Sequence, residues 1–517
     1  MADITAASRK ATLDKDLDKL SHVEEAATFV ARGLVAPGLA LLFMAAVAAA
    51  AAIYAFDEPR AIFIVAAAAI GAYMALNIGA NDVANNVGPA VGAKALTMTG
   101  ALVIAAIFEI AGALIAGGDV VETISKGIID PAAAAGPTAF MRLMLAALIS
   151  SALWVHIATW IGAPVSTTHA IVGGVFGAGI AAAGLASVNW PVMGAIAASW
   201  VISPVLGGLV AALFLAFIKS AIIYQDDKIS AARRWVPLLI GVMAGSFAAY
   251  LCTKGLGRIL DISAYDLAAV GILSFALFWG LSQYYVNRAS VGMENRNQSL
   301  RKLFRLPLIV SAALLSFAHG ANDVANAVGP LAAIVHTAHS GTISGSVEIP
   351  LWVMVIGALG ISFGLLLFGP KLIRMVGEQI TKLNPMRAFC VALSAALTVI
   401  VASWFGLPVS STHIAVGAVF GVGFFREWYT AKSRRRQAYM ERKNQRWVAE
   451  RRSDGGEKRI VGKAREIHSK ASREEIARRK LVRRAHVTTI VAAWVTTVPA
   501  AALLAAGVFL GLGLLGR

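Results

Sequence analysis

One polar stretch occurs twice in this chain. Residues 79–89 read GANDVANNVGP, and residues 320–330 read GANDVANAVGP. Both copies lie inside long apolar segments. An ionised Asp in hydrocarbon costs about 2.5–3.5 kcal/mol on insertion scales. Two nearly identical copies therefore indicate a polar site that is assembled from two halves of the protein.

The composition indicates a membrane protein. The chain has 517 residues, of which 58% are hydrophobic and 15% charged, and its mean hydropathy is +0.71. Continuous apolar runs of roughly 20 residues recur, which is the length that crosses the hydrocarbon core. These runs do not alternate as barrel strands do. We predict an all-α polytopic protein with about 12–13 membrane segments. Two cysteines far apart in sequence predict no disulfide framework.

The order of apolar and polar segments predicts a tail, an added helix, two repeats and a linker between the repeats. Within the repeats, we expect spans 61–93 and 304–336 to be broken at the GANDVAN motifs, and spans 164–187 and 409–425 to begin at Pro-rich motifs. The predicted regions are a cytoplasmic tail (1–33), an extra N-terminal transmembrane helix (34–55), a first transport repeat (61–218), a linker with two transmembrane helices (219–303) and a second, inverted repeat (304–516) that a basic cytoplasmic loop (426–486) interrupts.

Loop charge predicts the orientation. The net charge is +17, and residues 426–484 carry 21 Lys and Arg against 8 Asp and Glu. A basic loop between apolar spans is typical of the cytoplasmic side and can attract anionic lipid headgroups. The loops 219–234, 285–303 and 371–387 then fall on the same side. We predict a multi-pass protein of the cell (inner) membrane with its N-terminus inside and its C-terminus outside, without a nucleic-acid partner.

Further motifs repeat in the same order. Residues 164–169 read PVSTTH and residues 408–413 read PVSSTH, whereas WVISP at 200–204 is matched more weakly by WVTTVP at 494–499. Counting spans gives the two halves opposite orientations. Such an inverted repeat, with broken or re-entrant helices and a site near the midplane, is typical of secondary transporters.

The GANDVAN motifs offer hard oxygen ligands. In the first copy, Asn81 with Asn85 and Asp82 with Asn86 are i, i+4 pairs, so carboxylate and amide oxygens gather on one side of a helix. Such oxygens suit a hard cation. Glycines and a proline on both flanks loosen the backbone. The alternative is that the Asn and Asp side chains only hold helices together.

The PVS(T/S)TH motifs are expected to start helices. Pro favours the first turn, and Ser or Thr caps it. A helix N-terminus with added hydroxyls could cradle a tetrahedral anion. Ordinary capping of a half-helix is the alternative.

Three titratable side chains could couple transport to a cation. His169 and His413 close the PVS(T/S)TH motifs, and a proton relay competes there with a neutral, structural imidazole. Glu109, within a predicted span, has no evident counterpart in span 350–369, which favours a cation or proton role. No hydrolase or nucleotide-binding motif is present, so we expect neither an enzyme nor a cofactor.

These motifs closely resemble those of the inorganic phosphate transporter family known as PiT. The resemblance covers residues 61–516 and includes FE at 108–109 and ETISKGIID at 122–130. It implies a symporter that imports inorganic phosphate with Na⁺ or H⁺. It also implies a substrate site formed by Asn81, Asp82, Asn85, Ser166, Thr167 and Thr168 from the first half and by Asn322, Asp323, Asn326, Ser410, Ser411 and Thr412 from the second.

The sequence leaves alternatives open. The same fold could carry sulfate or another oxyanion, or the protein could be a membrane scaffold or sensor that acts through the basic loop. The Phe108-Glu109 pair is more similar to Na⁺-coupled members, so we predict Na⁺ over H⁺. The coupling cation would use Asp82, Asn85, Asp323 and Asn326, and a homodimer stays open.

Overall fold

The computed structural model describes residues 11–130, 133–163, 165–255, 257, 260–343, 349–379, 383–434, 436–439, 441, 442, 445 and 484–515. Most of the predicted basic loop and the first ten residues of the predicted tail therefore lie outside the described residues. The described part is helical, and its one β contact is the isolated bridge between Ile129 and Val188.

Sixteen helices define the architecture of the described chain. In the first half they are α1 (Ala11–Tyr54), α2 (Ala61–Gly92), α3 (Met98–Ala116), α4 (Gly118–Glu122), α5 (Pro137–Ile161), α6 (Thr167–Ala183), α7 (Trp190–Ile218), α8 (Lys228–Lys254) and α9 (Ala264–Ala289). They continue with α10 (Asn297–Leu303), α11 (Arg305–Asp323), α12 (Ala325–Ser340), α13 (Leu351–Gln379), α14 (Pro385–Trp404), α15 (Ser411–Lys432) and α16 (Arg484–Leu515). Short π-helical turns follow α4 and α7, and a 3₁₀ turn precedes α7.

Eleven helical segments of the described chain are long and apolar enough to cross a membrane. Helix α6 is a twelfth, shorter apolar helix, which agrees with the predicted count of about 12–13. The first span, Gly33–Tyr54, coincides with the predicted extra helix. It packs on α2 and α13 and keeps much of its apolar surface exposed, as a lipid-facing helix does.

Both PVS(T/S)TH motifs start helices, as predicted. Ser166 caps α6, where its hydroxyl accepts from the N–H of His169, and Ser410 caps α15 in the same way through His413. Both helix starts are buried. Helix α6 has only 17 residues, fewer than the roughly 20 that a crossing needs. Helix α6 packs on α5, and α15 packs on α14 as the counterpart. Each pair is a helical hairpin that brings a buried helix start to the centre, as expected of a re-entrant helix.

The predicted break at the first GANDVAN motif is wrong. Helix α2 runs without interruption from Ala61 to Gly92, whereas the second motif contains a break at Val324, between α11 and α12. The reason is that Gly79 and Gly88 keep right-handed helical backbone. The break at Val324 is small, because its φ of −56° and ψ of −32° are themselves helical.

Glycine serves close packing at these motifs. A Cβ on Gly79 would lie 1.9 Å from the carbonyl oxygen of Ile361 in α13, and one on Gly320 would lie 2.2 Å from that of Glu109 in α3. Gly364 and Gly112 make the reciprocal approaches to Leu76 and Phe317. Each motif helix therefore packs on a helix of the other half, so the two repeats are interlocked around the motifs.

Candidate functional site

Asp82 joins the two helix starts. Its Oδ2 accepts from the hydroxyl of Thr167 at the start of α6 (3.0 Å), and its Oδ1 accepts from the hydroxyl of Thr412 at the start of α15 (2.9 Å). The carboxylate is 1% exposed. One side chain of the first motif therefore ties both re-entrant hairpins together.

Asp323 takes the equivalent position in the second half. Its Oδ2 accepts from Ser411 at 3.1 Å and, more weakly, from Thr167 at 3.4 Å. Since Thr167 contacts both carboxylates, the two Asp residues lie side by side, as the repeat predicted. Hydroxyls from both helix starts surround them.

The second Asn of each motif reaches the hairpin of the other half. Asn85 donates to the Thr412 hydroxyl at 2.9 Å. Asn326 donates to the hydroxyls of Thr167 and Thr168, both at 3.2 Å. This exchange follows from the interlocked packing of the motif helices, and it completes a polar centre to which each half contributes.

The first Asn of each motif instead fixes the linker before a re-entrant helix. Asn322 donates to the hydroxyl of Ser403 (2.9 Å) and the carbonyl of Leu407 (3.1 Å), and it accepts from the N–H of Val409. With its amide oriented to satisfy its partners, Asn81 accepts from Thr159 (2.8 Å) and donates to the carbonyl of Val165 (3.1 Å) and to Asp82 (3.2 Å). These two predicted substrate ligands hold the backbone on which the hydroxyls sit.

A polar chain leads from the carboxylates to Glu109. His319 Nε2 lies 3.1 Å from Asp323 Oδ2 and 3.7 Å from Asp82 Oδ2, while its Nδ1 lies 3.2 Å from Glu109 Oε1. Asn86 donates to the same Glu109 oxygen at 2.8 Å. All of these side chains are buried. The imidazole thus connects three carboxyl groups.

His319 was not among the predicted site residues, and Asn86 was predicted only as the i, i+4 partner of Asp82. Both carried a signal, because each lies four residues from a motif Asp and so shares its helix face. That spacing predicted ligands only within the GANDVAN motifs, although it applies equally to His319, the residue just before the second copy.

His169 and His413 occupy a different environment. Their rings pack edge to face, with centroids 4.4 Å apart, and Trp200 lies against His169 at 3.8 Å. The indole N–H of Trp200 donates to the carbonyl of Pro408. These contacts pack the two helix starts together, and they involve none of the carboxylates.

The centre offers oxygen acceptors that lack a donor. Atoms of Asp82, His319 and Asp323 come within 4.8 Å of one another, as metal ligands would. Among the described residues, no donor reaches Asn86 Oδ1, Glu109 Oε2, Asp323 Oδ1 or Asn326 Oδ1, all of which are buried. Such acceptors fit a hard cation and repel an unprotonated anion.

The chain is similar in sequence to known proteins. The profile of the phosphate transporter family matches residues 78–505. A protein of Helicobacter pylori (strain ATCC 700392 / 26695) named “Putative phosphate permease” is 45% identical over 530 aligned residues, which cover 97% of this chain and 99% of that protein. A Pyrococcus abyssi protein with a similar name is 39% identical, covering 69% of this chain and 87% of that one.

A solved structure extends the likeness to three dimensions. It is described as “The sodium-dependent phosphate transporter”, superposes with a TM-score of 0.73 at 34% identity, and covers 88% of this chain and 99% of its own. The buried carboxylates, the re-entrant hairpins and these matches define a multi-pass membrane transporter rather than an enzyme. The chain belongs to the phosphate transporter family.

Proposed function

We propose that this protein is a secondary active symporter that imports inorganic phosphate together with sodium ions. One observation carries the proposal. Three buried carboxyl groups, those of Asp82, Asp323 and Glu109, face one imidazole, and no Lys or Arg among the described residues contacts them. Buried charge without compensation costs several kcal/mol. A site of this kind needs a bound cation before it can accept an anion.

The phosphate would be held between the two helix starts. The first N–H groups of α6 and α15 have no intrahelical partner, and their partial positive charge favours an anion. The hydroxyls of Thr167, Ser411 and Thr412 now donate to carboxylates, and each can rotate to donate to a phosphate oxygen. Asn85 and Asn326 provide further N–H donors.

The carboxylates favour phosphate over sulfate. At neutral pH, phosphate retains at least one O–H that can donate to Asp82 or Asp323, whereas sulfate is fully ionised and can only accept. The oxygens of a sulfate beside these two carboxylates would face carboxylate oxygens without a hydrogen between them, which is repulsive. Arsenate, which also carries a proton, should compete.

Sodium is the preferred coupling ion because of the kind of acceptors present. Asp323, Asn326, Asn86 and Glu109 offer buried oxygens that lack donors, and a hard cation takes several oxygen ligands, whereas a proton needs one. The solved relative is described as a sodium-dependent transporter, which supports the same choice. We assign the coupling role to His319 and Glu109, because the His319 imidazole contacts Asp82, Asp323 and Glu109.

The orientation follows from loop charge. The N-terminus and the basic loop would lie in the cytoplasm of a cell whose inner membrane holds the protein, and the C-terminus would lie outside. A cysteine introduced within 441–480 should be labelled only after permeabilisation. A homodimer stays a prediction from the sequence.

Transport by purified protein in proteoliposomes tests the function. An inward Na⁺ gradient should drive accumulation of labelled phosphate, which arsenate inhibits and sulfate does not. Full uptake driven by a pH gradient in Na⁺-free buffer would reject sodium coupling. Equal inhibition by sulfate would reject the phosphate selectivity.

A further inference from the structure

A second polar cavity lies at the ends of the helices that build the site. Its volume is about 460 Å³, within the roughly 300–1,000 Å³ of small-ligand pockets. It is formed where α2 ends, where α10 meets α11 and where α14 begins. The cationic side chains that line it are those of Lys94, Arg301, Lys302, Arg305 and Arg387.

These five cations have no counter-ion in the described structure. None of the described residues that line the cavity is acidic. Within the described part of the chain, none of the five side chains forms a hydrogen bond or an ion pair with any other residue. By contrast, Lys254 is paired with Asp119, and Arg296 is paired with Glu294. Like charges gathered from three segments repel one another, and an anion between them would remove that repulsion.

The helix geometry adds to the positive potential. Helix α14 has 20 residues, and its N-terminus opens at the cavity, where Asn384 caps it by accepting from the N–H of Arg387. Arg387 is half-buried, so its charge is less screened than that of a surface side chain. Lys94 has a φ of +57°, a conformation that non-glycine residues seldom adopt. This backbone turns the chain at the end of α2, on the rim of the cavity.

We propose that this cavity is a second anion site, which binds a phosphate group at the cytoplasmic end of the transport helices. Guanidinium groups recognise phosphate oxygens in bidentate fashion, and Lys adds a point charge. Helices α2 and α11 carry Asp82 and Asp323, so binding in this cavity would be coupled to the affinity of the transport site. The phosphate group comes either from free inorganic phosphate or from the headgroup of an anionic lipid.

Binding to the full-length protein in phosphatidylcholine nanodiscs tests the site. In an Asp82→Asn background, which disables the central site, inorganic phosphate should still bind, and added salt should weaken the binding. Arg301→Gln with Arg305→Gln should lower the affinity at least tenfold. Arg296→Gln removes a positive charge that lies outside the cavity and is paired with Glu294, so it should leave the affinity unchanged. Arg301 and Arg305 are exposed, so the variants should fold, and each single change should act in the same direction.

A lipid arm separates the two sources. If the ligand is a lipid headgroup, phosphate will not bind in phosphatidylcholine discs. Retention of phosphatidylglycerol, followed by native mass spectrometry, will then fall in the Arg301/Arg305 variant and not in Arg296→Gln. The proposal is overturned if neither phosphate affinity nor lipid retention distinguishes these variants. Failure of sodium-driven uptake by the unaltered protein would reject the proposed function and leave this result standing.

Discussion

The two halves of the molecule use the same scaffold but different chemistry. The glycine contacts set the register: Gly112 corresponds to Gly364, so Glu109 in the first half corresponds to Ile361 in the second. Aligning the two GANDVAN motifs adds two correspondences. His319 corresponds to Ile78, and Asn86 corresponds to Ala327. The linked polar groups Asn86, Glu109 and His319 therefore have only the apolar counterparts Ala327, Ile361 and Ile78, which are buried.

We propose that this difference separates two tasks. Residues that occur in both halves, above all the Asp pair and the Ser and Thr hydroxyls, surround the space between the helix starts where we propose that the anion binds. The polar residues that occur in one half only, Asn86, Glu109 and His319, form a branch on one side of that centre. A symmetric cradle with an asymmetric branch is what a symporter needs if one half binds the coupling ion. Substitutions that remove either part should therefore have distinct effects.

Loss of either shared Asp should have the largest effect. Asp82→Asn or Asp323→Asn removes a charge that organises both hairpins. Breaking a buried charged pair costs about 3 kcal/mol or more, a factor of at least roughly 100 in an equilibrium constant. Phosphate uptake in proteoliposomes should fall to background in both variants. Normal uptake by either one would refute its place in the site.

Restoring symmetry to the branch should cost less than breaking it. Glu109→Ile alone leaves Nδ1 of His319 without its carboxyl partner, and His319→Ile alone leaves Asn86 as the remaining partner of Glu109. Each single change should destabilise the protein by about 3 kcal/mol. The double variant copies Ile361 and Ile78 into the other half and removes both members of the Glu109–His319 contact, and losing both partners of one contact can be nearly neutral for that contact. Thermal unfolding should show the double variant to be more stable than the sum of the two single changes requires. Simple additivity would indicate that the two side chains are not coupled.

Equivalent glycines should respond differently to a methyl group. A Cβ on Gly329 would lie 2.8 Å from Cγ2 of Ile124, whereas a Cβ on Gly88 would meet nothing within 4 Å. Gly329→Ala should therefore destabilise the protein by about 1–3 kcal/mol through overpacking. Gly88→Ala should be neutral or stabilising by up to about 1 kcal/mol. Equal melting temperatures for the two variants would contradict the packing described here.

The sequence predicted the repeated centre better than the unique branch. Paired motifs identified Asp82, Asp323 and the capped helix starts, because repetition marks positions that both halves require. His319 was not predicted because its counterpart in the first half, Ile78, is apolar. Glu109 was predicted because it is an acidic residue without a counterpart in the other half. The roles of Asn81 and Asn322 depend on linkers whose path only the folded chain fixes. The predicted break in α2 was wrong because the glycines of this helix allow close packing and leave the helix intact.

Sodium dependence in the Glu109→Gln variant tests the division of tasks most directly. The amide keeps the shape and removes the charge that the branch supplies. Phosphate–phosphate exchange across proteoliposomes without any gradient should persist, because the symmetric cradle is intact, while accumulation driven by an inward Na⁺ gradient should fall at least tenfold and lose its dependence on Na⁺ concentration. Accumulation with an unchanged Na⁺ dependence would contradict the account.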